Sequence, residues 1–141
     1  MEKHFCDYNQ SLALKELGYD EPCMGKYDTK QGDEWLLNIY SGHLNIQFSD
    51  KSKACIAPLK SQVFEWGRNN HQLFYTIETN CSQLSFEWGF DYTIFDKEND
   101  KWLSTEPQNG PPGETTYKTY EEAESACIDK LIEIVKTNLD K

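Results

Sequence analysis

The sequence predicts an α+β fold: an antiparallel sheet of about four to five strands built from hairpins, with three helices packed mainly on one face. Two patterns support this prediction. Apolar residues recur every three or four positions in N-terminal, middle and C-terminal segments, as in amphipathic helices, and alternate with polar residues elsewhere, as in strands. The alternating segments follow one another in pairs, which favours hairpins over a parallel sheet. At 141 residues, we expect one domain spanning residues 1–141.

The first helix is predicted to begin after Asp7 and to end near Leu17. Asp7 with Gln10, or Asn9 alone, can cap the helix N-terminus by accepting from its free backbone amides. Gly18 is typical of the residue that follows a helix C-terminus. The apolar positions are Leu12, Leu14 and Leu17.

The segment after this helix is predicted to contain a loop and then a hairpin. Residues 20–33 are mostly polar and are interrupted by proline and glycine, so we expect a loop or an irregular edge. Residues 35–39 and 44–48 alternate between apolar and polar side chains. The intervening Ser41-Gly42-His43 is therefore predicted to be the hairpin turn.

A short middle helix is predicted from Pro58, because proline suits the first turn of a helix, and we expect Gly67, Asn69 and Asn70 to stop it. Residues 73–77 then alternate as a strand. The clearest strand signal places apolar residues at six successive even positions; they are Leu84, Phe86, Trp88, Phe90, Tyr92 and Ile94. Residues 101–103 are predicted to form a short strand that pairs back on residues 90–96.

The last helix is predicted to begin near Tyr120. Thr119 and Glu122 form a capping-box pattern, in which each side chain can bond to the backbone amide of the other residue. Its apolar stripe comprises Ala123, Cys127, Ile128, Leu131, Ile132, Ile134 and Val135. Residues 106–116, rich in proline and glycine, are predicted to form an exposed loop before it.

Composition excludes some classes of partner. The formal charge of −10 and a pI near 4.7 disfavour direct nucleic-acid binding, and Arg68 is the only arginine. Five cysteines without paired spacing suit free, buried thiols in a reducing cytoplasm. Since no apolar stretch reaches the length of a membrane span, we expect a cytoplasmic protein without a membrane partner.

Catalytic and metal-binding motifs are not evident in the sequence. His4, His43 and His71 are scattered, and no Walker loop or dinucleotide-binding glycine pattern occurs. We therefore predict no catalytic residue, metal or cofactor. One alternative stays open, a small hydrolase or transferase that assembles a cysteine with His71 or His43 from distant positions.

The aromatic residues supply the candidate ligand site. They and their charged neighbours could stack a planar ligand and hold one anionic group. The predicted site residues are Trp66, Arg68, His71, Tyr75, Trp88 and Tyr92. The alternative is that the aromatic members form the core beneath the helices.

Three blocks of the sequence resemble a group of small uncharacterised proteins of Bacteroidetes bacteria and their phages. The blocks are LKELGYDEPC at 14–23, APL at 57–59 with QVFEW at 62–66, and TYEEAE at 119–124 with KLIEIVK at 130–136. No catalytic residues carry over from this group. The resemblance implies an accessory role in the bacterial host cytoplasm, such as blocking a host defence.

We therefore expect a non-catalytic binding protein. Its expected partner is a host protein, or a small anionic or planar ligand such as a nucleotide signal that the protein sequesters. Two alternatives remain open beside it: the small hydrolase or transferase, and a structural phage component. Self-association is also left open by the sequence.

Overall fold

The computed structural model describes residues 2–81, 88–104 and 117–141. Within these ranges the α+β class is confirmed, with N-terminal, middle and C-terminal helices and two three-stranded antiparallel sheets. The strands are thus divided between two sheets, where we expected one sheet of four to five. The chain separates into two compact units, Met1–Trp66 with Ile132–Lys141, and Gly67–Leu131. The expectation of a single domain stays a prediction.

The helices and strands have the following bounds. A short 3-10 turn at Glu2–His4 precedes the first helix. The helices are α1 (Tyr8–Glu16), α2 (Lys60–His71) and α3 (Tyr120–Leu139). The strands are β1 (Cys23–Gln31), β2 (Glu34–Leu44), β3 (Cys55–Ala57), β4 (Leu73–Cys81), β5 (Trp88–Asp96) and β6 (Lys101–Ser104).

Helix α1 has the ends that its sequence predicts. The Gln10 amide donates to the Asp7 carboxylate at 2.8 Å, and the Asp7 amide donates to the Gln10 side-chain oxygen at 3.1 Å. These two bonds complete a capping box. The helix ends at Glu16 with Leu17 as its C-cap, and Gly18 follows with a φ of +89°, a conformation that glycine adopts without steric cost. The capping prediction is confirmed.

The sheet of the first unit has the strand order β2-β1-β3 and corrects two predictions. Residues 23–31 form β1 and not a loop, with Cys23, Gly25 and Tyr27 buried in alternation. The hairpin turn falls at Gly32, where φ is +64°, because Gln31 pairs with Glu34. The predicted turn at 41–43 lies inside β2. There the register with β1 shifts, so the glycine marks an irregularity and not a reversal.

The core of the first unit contains small and aromatic side chains. Phe5, Tyr27, Cys55 and Ala57 form one buried cluster. Partly buried hydrophobic residues pack against it, among them Tyr8 and Trp35. The rings of Tyr8 and Trp35 stack with centroids 4.9 Å apart and an interplanar angle of 9°.

Helix α2 ends at His71, directly after the predicted stop residues Asn69 and Asn70, but it continues through Gly67, which does not end it. Gly67 is buried, and a Cβ atom at this position would be 2.9 Å from Cδ1 of Leu131. The glycine therefore permits close packing against α3 and does not end the helix. The reversal occurs at Gln72, whose φ of +54° places it in the left-handed region.

The sheet of the second unit has the strand order β4-β5-β6 and follows the prediction closely. Strand β4 pairs with β5 in unbroken register from Leu73 with Asp96 to Cys81 with Trp88. Strand β6 pairs back on residues 93–96, as predicted. The Asp96 carboxylate accepts from both the backbone and the side-chain amide of Asn99, which holds the β5–β6 turn. Positions 84 and 86 of the predicted long strand lie outside the described residues.

Helix α3 begins at Tyr120, as predicted. The Glu122 amide donates to the Thr119 hydroxyl at 3.1 Å, which is half of the predicted capping box. The Glu122 carboxylate accepts instead from the Lys118 amide at 3.2 Å. The predicted apolar stripe is buried, apart from a half-buried Ile132. The predicted loop at 106–116 lies outside the described residues.

Across the described ranges, no helix is both long and apolar enough to span a membrane.

Candidate functional site

The six predicted site residues are distributed over both compact units. Trp66 belongs to the first unit, where it is buried and packs edge-on against Tyr19 at a centroid distance of 5.5 Å. The other five belong to the second unit. The burial of Trp66 against Tyr19 favours the alternative prediction, that Trp66 is a core residue.

Arg68 and Tyr75 are brought together in the second unit. Tyr75 is half-buried, and burial raises the pKa of its phenol, while the positive charge of Arg68 acts in the opposite direction. The Glu124 carboxylate adds to the rise in the Tyr75 pKa, so this acidic group is also nearby. The Tyr75 phenol is therefore influenced by one cation, Arg68, and by one carboxylate, Glu124.

Tyr92 is buried, and its ring stacks on Tyr117 at a centroid distance of 6.3 Å. Trp88 is on the same sheet face but is 74% exposed. Trp88 and Tyr92 are four positions apart along the strand, which corresponds to about 13 Å. His71 ends α2, and burial lowers its pKa. That these six residues form a ligand site remains a prediction.

A different aromatic group lies on the opposite face of this sheet, and sequence reasoning missed it. Phe74 of β4 pairs with Phe95 of β5, and Phe95 pairs with Trp102 of β6. Directly paired residues share a face, so these three rings form one row across the sheet. The Phe95 and Trp102 centroids are 4.7 Å apart. We call Phe74, Phe95 and Trp102 the outer aromatic row.

The outer aromatic row is exposed. Trp102 is 70% exposed and Phe74 is 41% exposed, while Phe95 between them is half-buried. On the opposite face, their neighbours Leu73 and Ile94 are buried. A soluble sheet more often presents polar residues to water on its open face. Two exposed rings on either side of a half-buried one therefore form an exposed apolar patch on this face.

The same face becomes polar and then acidic with distance from the row. Thr76 pairs with Thr93 two residues along the strands, and Glu78 pairs with Asp91 a further two residues along. Four strand residues place the acidic pair, Glu78 and Asp91, about 13 Å from the outer aromatic row. Like charges directly opposite each other destabilise a sheet.

A sequence signal for the row does exist beside the β5–β6 turn. Each strand carries adjacent apolar residues there, which makes both faces apolar at one end of the sheet. The adjacent residues are Leu73 with Phe74, Ile94 with Phe95, and Trp102 with Leu103. The even-numbered apolar positions of β5 dominate the pattern and conceal this second set.

The buried thiols are relevant to the alternative prediction of a hydrolase or transferase with a catalytic cysteine. Burial raises the pKa of Cys23 to about 11 and the pKa of Cys55 and Cys127 to about 12. Since the thiolate is the nucleophile, these groups are neutral at physiological pH and poorly reactive. Within residues 2–81, 88–104 and 117–141, no group of three or more His, Cys, Asp or Glu side chains could hold a metal ion.

Comparison of the chain with protein families, curated proteins and solved structures gave no match.

Proposed function

We propose that this chain is a non-catalytic binding protein that docks on a basic protein through the outer aromatic row and the acidic pair. The exposure of Trp102 beside Phe95 and Phe74 is the observation that carries the proposal. Tryptophan is enriched among the few residues that dominate binding energy at protein interfaces. The row is the apolar anchor, and the acidic pair selects the charge of the partner.

Charge supports a basic partner. The chain has a formal charge of −10, so its field attracts cationic surfaces and repels anionic ones. The acidic pair lies on the same sheet face as the row. A partner that matches both features presents an apolar patch and a Lys or Arg side chain about 13 Å apart.

The anionic or planar ligand expected from the sequence has weaker support. Tyr75 experiences the negative charge of Glu124 as well as the positive charge of Arg68, and that carboxylate disfavours an anionic ligand at this position. A flat exposed row suits a protein surface better than a small molecule, because small-molecule sites are concave. The resemblance of residues 14–23 and 119–124 to phage-associated proteins supports a bacterial host protein as the partner, through association alone.

Affinity capture with matched tryptophan variants tests the proposal. Immobilised wild-type protein, Trp102→Ser and Trp88→Ser are exposed to a Bacteroidetes lysate at low salt. Trp88 is the matched control because it is equally exposed but on the opposite sheet face. We expect wild type and Trp88→Ser to retain the same basic protein and Trp102→Ser to lose it.

The retained protein is then purified and titrated against each variant. We expect Trp102→Ser to raise Kd at least tenfold, Glu78→Gln to raise it about threefold at low salt, and Trp88→Ser to leave it within twofold. Equal losses from the two tryptophan variants, or a retained partner that is acidic, would overturn the proposal.

A further inference from the structure

A small cavity in the first unit carries a second, independent inference. It has a volume of about 170 Å³ and lies between α1, the residues just after α1, and residues 46–50. Its walls include Ile46, Phe48 and Ile56. All of its lining residues fall within residues 11–56 of this unit. The cavity is therefore separate from the outer aromatic row.

Ser11 gives this cavity a polar wall. Ser11 lines the cavity, is 1% exposed, and its Oγ atom has no hydrogen-bond partner among the described residues. A buried hydroxyl without a partner costs about 1–3 kcal/mol. A ligand that hydrogen-bonds to Ser11 would recover this free energy.

Lys15 also lines the cavity, but its ammonium group is already fully engaged. It donates to the carbonyl oxygens of Ser49, Ser52 and Ala54 at 2.8, 2.8 and 2.9 Å. An ammonium has three N–H donors, so Lys15 has none left for an anion in the cavity. The lysine instead fixes the segment that forms one side of the cavity.

The other charges on the cavity are acidic. Asp20 and Asp50 line it and are exposed, so they lie where the cavity meets solvent. Together with Lys15 they give the lining a formal charge of −1, within a chain of net charge −10. An anionic ligand in the cavity would be repelled by the two carboxylates and could not accept a hydrogen bond from Lys15. A cationic ligand meets carboxylates at its charged end and apolar walls along its body.

We infer that this cavity binds a small organic cation: an apolar body about the size of a benzene ring that carries a protonated amine. The size follows from the volume, because a cavity of about 150 Å³ in a protein core accommodates benzene. The apolar body contacts Ile46, Phe48 and Ile56. The amine lies toward Asp20 and Asp50, with Ser11 as an acceptor for one of its N–H groups.

Titration with three probes of the same size tests the inference. Benzylamine is the cation, benzyl alcohol the neutral analogue and benzoate the anion, each followed by backbone amide NMR of the ¹⁵N-labelled full chain. We expect benzylamine to shift amides of residues 11–20 and 46–56 saturably and to bind at least fivefold more tightly than benzyl alcohol. Benzoate should produce no saturable shift.

Variants identify the residues responsible. Asp50→Asn should weaken benzylamine binding about fivefold, whereas Asp33→Asn, in the β1–β2 turn, should not change it. Ser11→Ala should weaken binding about threefold and raise the Tm of the free protein, because it removes an unsatisfied buried hydroxyl. The amide spectrum of each variant verifies that it is folded.

Three outcomes would overturn the inference. Equal affinity for the cation and the neutral analogue would remove the role of charge. Saturable shifts confined to residues outside 11–20 and 46–56 would place binding elsewhere. A Ser11→Ala variant with raised Tm and unchanged benzylamine binding would show that the Ser11 hydroxyl takes no part in binding the amine.

Discussion

Gly25 of β1 lies directly against the ring of Phe5. A Cβ atom at Gly25 would be 2.9 Å from Cε1 of Phe5 and 3.2 Å from the carbonyl oxygen of Ala57. The Phe5 ring is 3% exposed, and Ala57 pairs with Gly25 in the sheet. The glycine is therefore needed for close approach between β1, β3 and the N-terminal segment.

Gly25→Ala should destabilise the protein by about 1–3 kcal/mol, since an added methyl group must displace a buried ring or a paired strand. The free energy of unfolding in urea measures this change. Gly42→Ala is the matched control, because a Cβ atom there meets nothing within 4 Å. An equal loss in both variants would mean that the effect comes from strand glycines in general and not from this contact.

Asp7→Ala should lower the free energy of unfolding by about 1 kcal/mol, because it removes the acceptor for the Gln10 amide. Asp140→Ala, which removes a carboxylate beyond the end of α3, should have no such cost. Urea unfolding at pH 7 compares the two variants. An equal loss of stability in both variants would argue against the cap as the cause.

Lys15→Met should release the segment that follows β2. The methionine keeps most of the apolar stem but cannot donate to the carbonyls of Ser49, Ser52 and Ala54. We expect a loss of about 1–3 kcal/mol, as is typical of hydrogen bonds to charged groups. Amide hydrogen exchange should accelerate in residues 49–54 and stay unchanged in β4 and β5. Uniform acceleration throughout the chain would contradict a local role for Lys15.

Stability should fall in alkaline solution as pH rises above 9. Burial raises the pKa of Cys55 and Cys127 from 9.0 to about 12 in the folded protein. Their contribution to stability is fully present below pH 9 and is lost as pH rises toward 12, because the unfolded chain releases these protons first. The phenol of Tyr19, whose pKa burial also raises, acts in the same direction.

Urea unfolding of wild type and Cys127→Ala at pH 8 and pH 10 checks this prediction. The variant should lose less stability between the two pH values than wild type, because one titrating thiol is absent. An identical pH dependence for both proteins would exclude Cys127 as a contributor.

The helix ends could be predicted because their signals are local. Asp7 with Gln10 and Thr119 with Glu122 specify their caps within four residues. The pairing of β6 with β5 was also predictable, since a short polar turn joins them. By contrast, β1 was missed because two of its buried positions are Cys23 and Gly25, whose burial depends on partners far along the chain.

The outer aromatic row could be predicted only in part, for a similar reason. The row requires one aromatic residue from each of three strands, and only the register shows that Phe74, Phe95 and Trp102 share a face. Alternation within β5 emphasises the even-numbered residues, which lie on the opposite face. The cavity beside Ser11 depends on tertiary packing and has no counterpart in the sequence pattern.

The burial of the tryptophans differs between the two units, and this difference affects their fluorescence. Trp35 and Trp66 are partly or fully buried in the first unit, whereas Trp88 and Trp102 are exposed in the second. Their intrinsic fluorescence therefore divides by unit, with shorter-wavelength emission from the first and longer-wavelength, readily quenched emission from the second. A soluble quencher can suppress the emission of Trp88 and Trp102. The remaining emission then reports the unfolding of the first unit without any added label.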